Sequence, residues 1–234
     1  MKKVYLPIIL ISCISFLVSC KSNETAQSDT VKQTEIFQSY DVTYNAPDES
    51  LSASATFRFG GTNGTTLILS NPAKILFNDE EMKQSTLLFG GAYYSWEKQC
   101  PLPQVFRFEY TDCDKKVFKN AQFIFPLEII SSQGKVFSAK GENRVAWDGP
   151  AIANGEKVTL YIEDSKSGIR SFDSDKVGDQ FISFDGSRIA DMNLGKAQIY
   201  LQREKSTSLA QCTHLGGEFF ARYKSKKTEA EIVK

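Results

Sequence analysis

VTLYIE, residues 158–163, alternates between apolar Val158, Leu160 and Ile162 and the more polar Thr159, Tyr161 and Glu163. A side-chain period of two puts the first three on one face of a strand and the others on the opposite face, the pattern of a half-buried sheet. AQIYLQ (197–202) repeats it, with Ala197, Ile199 and Leu201 set against Gln198, Tyr200 and Gln202. VFRFEY (105–110) places Phe106, Phe108 and Tyr110 opposite Val105, Arg107 and Glu109. β-Branched and aromatic residues dominate all three segments, as pleated half-buried surfaces favour.

Shorter runs of the same kind extend in both directions: IFQSYDVTY (36–44), SATFRF (54–59), TTLIL (65–69), KILFN (74–78), AYYSW (92–96), QFIF (122–125), NRVAW (143–147), QFISF (180–184) and EFFARY (218–223). Turn formers separate them, among them Gly60-Gly61-Thr62-Asn63-Gly64, Asn71-Pro72, Asn154-Gly155, Asp185-Gly186 and Gly216-Gly217. Asn-Gly pairs suit turns that need positive φ. No segment carries a 3.6-residue apolar stripe over three turns; DEEMKQSTLL (79–88) offers one or two turns of helix at most. About a dozen short, regularly punctuated strands predict an all-β fold.

The length favours two tandem β-sandwiches, 36–125 and 126–226, divided near Pro126, each of about the size of an immunoglobulin-like domain. One larger sandwich is the alternative. Neither half has the Cys…Trp…Cys spacing of antibody domains, although Trp96 and Trp147 each suit a core position. The mixed-charge segment 227–234 is expected to fray beyond the last strand.

The N-terminus is read separately. Met1-Lys2-Lys3 precedes an almost wholly apolar run from Val4 to Val18, too short and poorly flanked for a spanning helix of about 20 residues. Its size suits the h-region of a secretory signal peptide, residues 1–19. Leu17-Val18-Ser19-Cys20 resembles the lipobox of bacterial lipoproteins. The resemblance implies cleavage before Cys20, a diacylglycerol on its sulfur and often an acyl group on the new amine. Two or more chains are what stable anchoring requires, because one holds only marginally. Lys21 stands where Asp signals inner-membrane retention in that family, so in a two-membrane cell the resemblance points to the outer membrane. Residues 20–35 contain no aromatic side chain and a single β-branched aliphatic, Val31. They are expected to form a flexible tether reaching up to about 50 Å.

Without Lys2 and Lys3 the formal charge of the chain is about −2, which gives no attraction for nucleic acid. In an oxidising setting Cys100, Cys113 and Cys212 are candidates for a disulfide. Cys100–Cys113 is the foremost pairing; a bridge to Cys212, or none, are the alternatives. The single histidine, His214, lies in a predicted loop two residues after Cys212 and has no partner cluster that would complete a zinc site. Asp173, Asp175 and Asp179 are a weak calcium candidate, since their spacing lacks the Asp-x-Asp-x-Asp-Gly pattern and its distal Glu. Tyr93, Tyr94 and Trp96, at the most aromatic loop-to-strand junction, are candidates for contact with a sugar ring or a protein partner. A core role for Trp96 with one of the tyrosines is the alternative.

No catalytic signature and no cofactor motif is legible. The sequence therefore predicts a lipid-anchored protein of the cell envelope, attached to the membrane through Cys20, that binds or supports an envelope protein or glycan without catalysis. The alternative is an envelope hydrolase or carbohydrate-active enzyme using dispersed carboxylates.

Overall fold

A computed structural model describes residues 24–86, 91–130, 135–166 and 168–234; Cys20 and the predicted signal peptide lie outside them. The described residues form nineteen strands and three short 3-10 turns, with no α-helix among them. The first ten strands are β1 (Thr25–Gln27), β2 (Ile36–Asn45), β3 (Ser50–Phe59), β4 (Thr65–Ile68), β5 (Lys74–Phe77), β6 (Glu80–Glu81), β7 (Lys83–Thr86), β8 (Ala92–Gln99), β9 (Phe106–Thr111) and β10 (Val117–Gln122). Then come β11 (Glu128–Ile129), β12 (Val136–Ser138), β13 (Glu142–Asp148), β14 (Glu156–Asp164), β15 (Ile169–Ser174) and β16 (Phe181–Asp185). The chain ends with β17 (Gly195–Ser208), β18 (Gly217–Lys224) and β19 (Thr228–Val233).

Burial follows the period-two pattern. Val158, Leu160 and Ile162 on β14 are buried, as are Phe106, Phe108 and Tyr110 on β9 and Ala197, Ile199 and Leu201 on β17. One large sheet runs β1-β4-β3-β2-β18-β17-β14-β15, with β8 and β7 attached through β3, and β19 and β12 through β17. A four-stranded sheet, β10-β9-β5-β6, covers its first half, where Tyr40 stacks on Phe108 at 4.4 Å and Phe57 meets Tyr110 at 4.4 Å. A three-stranded sheet, β11-β13-β16, covers the second half, where Phe172 stacks on Phe184 at 3.8 Å and Trp147 is fully buried. The protein is thus an all-β sandwich, with two cores beneath one shared sheet.

The sharing corrects the predicted domain limits. The chain passes to the second core after β10 and returns within β17. Residues Gln202 to Ser208 pair with β18, and β18 lies parallel to β2 from Gly217↔Gln38 to Lys224↔Asn45. Phe219 consequently packs in the first core, 5.2 Å from Phe108 and 6.1 Å from Tyr40. Residues from about Gln202 to Lys224 belong with the first sandwich. A second crossing follows at fully buried Ser225, whose N–H donates to the Leu201 carbonyl at 2.9 Å and whose Oγ accepts from the Leu201 N–H at 2.9 Å.

Two segments expected to be loose are packed among the described residues. The segment read as a frayed tail is β19, paired with β17 and β12, because Ile232 fills the second core. The segment read as a tether is packed from Glu24 onward: β1 runs parallel to β4, and Ser28 and Gln33 are buried. Gln33 Nε2 donates to the carbonyls of Ser28 (2.6 Å) and Val31 (2.9 Å), and its Oε1 accepts from the Cys113 N–H (3.1 Å). Hydrogen bonds hold this strap, so a reading based on apolar content passes over it. DEEMKQSTLL contributes β6 and β7 rather than helix. QFIF is not a strand beyond Gln122: Phe123 and Phe125 are exposed on either side of buried Ile124.

The Asn-Gly turns have two different causes. Gly155 adopts φ +76°, as predicted. At Gly64 the constraint is space, since a Cβ would stand 1.7 Å from the Phe59 carbonyl oxygen.

Candidate functional site

The register of four adjacent strands builds a groove on the outer face of the first sandwich. Asp41 of β2 lies opposite Ser54 of β3, Ser54 opposite Ser95 of β8, and Ser95 opposite Lys83 of β7. One register step along, Ser52 pairs with Glu97. Serines at successive outward positions leave a low floor between longer side chains, and the result is a cavity of about 530 Å³. Glu80 and Glu81, from the short strand β6, line it too, and Trp96, whose side chain leaves β8 on the face opposite Ser95, borders it at the sandwich margin beside Glu80.

Trp96 is half-buried. Its ring packs against Phe77 at 5.0 Å, and its Nε1–H donates to Glu80 Oε2 at 2.9 Å. The other oxygen of Glu80 accepts from Lys98 Nζ at 2.9 Å. The Lys98 contact, with the Trp96 bond second, holds the Glu80 carboxyl below its ordinary range. At the opposite side Arg222 bridges Asp41 and Glu204, Nε lying 2.6 Å from Glu204 Oε2. Burial draws the Arg222 pKa down, but the two carboxylates more than offset it and raise it. Glu80 and Asp41 are both hydrogen-bonded wall elements. A general acid for glycoside hydrolysis needs the reverse of the Glu80 shift, a carboxyl group whose pKa is pushed up. The carboxyl groups moved from their ordinary range (Glu35, Glu80, Asp164 and Asp185) all move down.

The three aromatic candidates separate. Tyr94 belongs to the core: it is buried, lies 5.9 Å from Phe57, and its hydroxyl accepts from the Leu69 N–H at 2.7 Å. Tyr93 is half-buried on the other face of β8, and Trp96 alone of the three lines the groove. The serines and glutamates around it were missed by the sequence reading. Their signal is the spacing of Ser50, Ser52 and Ser54 in SLSASATF, small polar residues at every second position.

Cys100 and Cys113 form no disulfide; both are free, as is Cys212. The Cys100 N–H donates to the Glu49 carbonyl just before β3, whereas Cys113 Sγ sits elsewhere, 3.2 Å from Ser28 Oγ and 3.7 Å from the Ser70 carbonyl. Cys212 Sγ faces the Leu209 carbonyl at 3.7 Å, and His214 is exposed.

Asp173 and Asp175 are exposed, while Asp179 accepts from Ser174 Oγ at 3.2 Å and lies 3.6 Å from Lys176 Nζ. Among the described residues no three His, Cys, Asp or Glu side chains converge as metal ligands do.

No protein-family model matches the chain, and no curated protein matches it. Among solved structures it is similar to a tetra-tandem repeat from the extending region of a large adhesion protein, at 10% identity and a TM-score of 0.27, over 84% of this chain and 49% of that one. A mutant Salmonella alpha-2-macroglobulin gives 13% identity and a TM-score of 0.25, over 85% of this chain and 15% of the other. Trypsin-activated alpha-2-macroglobulin from Escherichia coli gives 11% and 0.23, over 81% and 15%. The chain spans about half the length of the first and far less of the others, and at such low TM-scores nothing is carried over from them.

Proposed function

We propose that the protein is a non-catalytic binding module of the bacterial cell envelope, exported, anchored through lipid on Cys20, and placed at the outer membrane where a cell has two. The observation that carries the binding role is the serine-floored groove beside Trp96, whose polar walls suit a hydrophilic chain, a glycan or a protein segment, laid across the strands. Glu80, with both oxygens already engaged, supports recognition over hydrolysis. An aromatic wall beside polar groups can hold a sugar face or a side chain, and Trp supplies much of the binding energy at such sites.

The test is cross-linking in the native envelope. A photoreactive amino acid encoded in place of Ser54 should yield one dominant adduct, several-fold weaker in the Trp96→Ala variant. Turnover of a glycan or ester panel that disappears in Glu81→Gln or Glu97→Gln would replace this reading with the hydrolase.

A further inference from the structure

The strap at the N-terminus sets how the molecule stands on a membrane. The Thr66 N–H donates to the Glu24 carbonyl at 3.0 Å, so the chain is fixed to the sandwich from Glu24, and Thr25–Gln27 continues as a paired strand. Only Lys21 to Glu24 separate Cys20 from that strand. Even fully extended, the path from Cys20 to Thr25 covers no more than about 18 Å at ~3.6 Å per residue. A tether of about 50 Å would let the body tumble freely above the lipid; one of this length does not.

The place where the chain reaches the sandwich selects the face. Glu24 lies at the start of β4, directly after the Gly60–Gly64 turn, and the Gly60 N–H donates to the Glu35 carbonyl at 3.0 Å. From this pole β2 runs away toward Asn45. At that far end β18, its parallel neighbour, hands the chain through Ser225 to the second sandwich. β17 gives the scale: fourteen residues, about 46 Å at ~3.3 Å each, from Ser208 beside the first pole to Gly195 at the other. The β14–β15 turn, with exposed Lys166, stands at the distant pole beside Ala197.

We infer that the Gly60–Gly64 pole of the first sandwich is held against the lipid headgroups while the second sandwich projects outward. This inference rests on the lipid anchor at Cys20 and adds the orientation. The groove beside Trp96 then lies on the flank, open sideways.

The experiment uses the full lipidated protein in vesicles of phosphatidylethanolamine and phosphatidylglycerol carrying an energy acceptor on a fraction of headgroups. A fluorescent amino acid is encoded in place of Thr62 or of Lys166. Transfer from position 62 is expected to exceed that from position 166 several-fold, and a ten-residue Gly-Ser insertion after Asn23 should reduce the contrast. Equal transfer from the two positions, in protein that still floats with the vesicles, would overturn the orientation and leave the anchor intact. Wild-type protein that fails to float, or Cys20→Ala protein that floats as wild type does, would overturn both.

Discussion

Tyr94 and Trp96 point to the same side of β8 and end in different surroundings. Tyr94 is closed in by Phe57 and the Leu69 N–H, whereas Trp96 lies at the sandwich margin against Phe77 and Glu80. Tyr94→Phe, which leaves the Leu69 N–H without its acceptor, is expected to cost about 1–3 kcal/mol in urea unfolding and to leave partner capture unchanged. Trp96→Ala should reduce capture. Alternation in AYYSW shows which of these residues share a face, but not which lies near an edge, because that depends on β6 and β7 crossing beside them. Arg203 poses a different residue-scale problem. It is fully buried, its Nε lies 3.9 Å from Glu156 Oε2, it donates to the Pro150 carbonyl through Nη2, and its Nε and Nη1 make no hydrogen bond among the described residues. Burial lowers its pKa, with Glu156 opposing. Removing one member of such a pair strands the other, so Arg203→Met alone should destabilise by about 3–5 kcal/mol. Combining it with Glu156→Leu should restore wild-type stability or exceed it, measured by the same unfolding experiment.

At the scale of elements, strands with one wet and one dry face were legible because their periodicity is local. β9, β14 and β17 bury the residues that the sequence assigns inward. Elements held by polar groups were not. The strap depends on Gln33 and Ser28, and the β14–β15 hairpin on Asp164, residue types that composition assigns to solvent. Asp164 accepts from the backbone and side-chain N–H groups of Asn193 (2.9 and 2.8 Å) and from the backbone of Gly168 (2.8 Å) and Lys166 (2.9 Å). These bonds, those of Asn193 foremost, hold its carboxyl well below the usual range in the folded protein. An unfolded Asp titrates near 3.9, so this contribution is complete above about pH 4 and is lost as pH falls through the native pKa. Thermal melts should show Asp164→Asn less stable than wild type at neutral pH, with the gap closing as pH drops below about 4. A constant gap down to pH 2 would contradict the assignment.

For the whole molecule, the two-core plan was legible from length and strand count, and the interleaving was not. The pairing of β18 with β2, sealed by the ion pair of Arg222 with Asp41, joins residues 181 positions apart. No local pattern encodes such a register. Its consequence is cooperativity: the first core contains chain from both sides of Pro126, and β17 runs through both halves of the shared sheet. Calorimetry should record one unfolding transition, and Phe219→Ala should lower it as a unit by about 3–5 kcal/mol. Two separable transitions would mean that the sandwiches fold independently. The same continuity makes the groove's floor part of the one large sheet that spans both sandwiches. The protein supplies its own reporter of that groove. It has two tryptophans, and Trp147 is fully buried in the second core while Trp96 lines the groove. The most direct measurement is therefore tryptophan emission during titration with fractionated envelope glycans and with the cross-linked partner. A saturable change in wild type that vanishes in Trp96→Phe is the predicted result; no change with any fraction, or one that persists in Trp96→Phe, would contradict the assignment of this groove as the binding site.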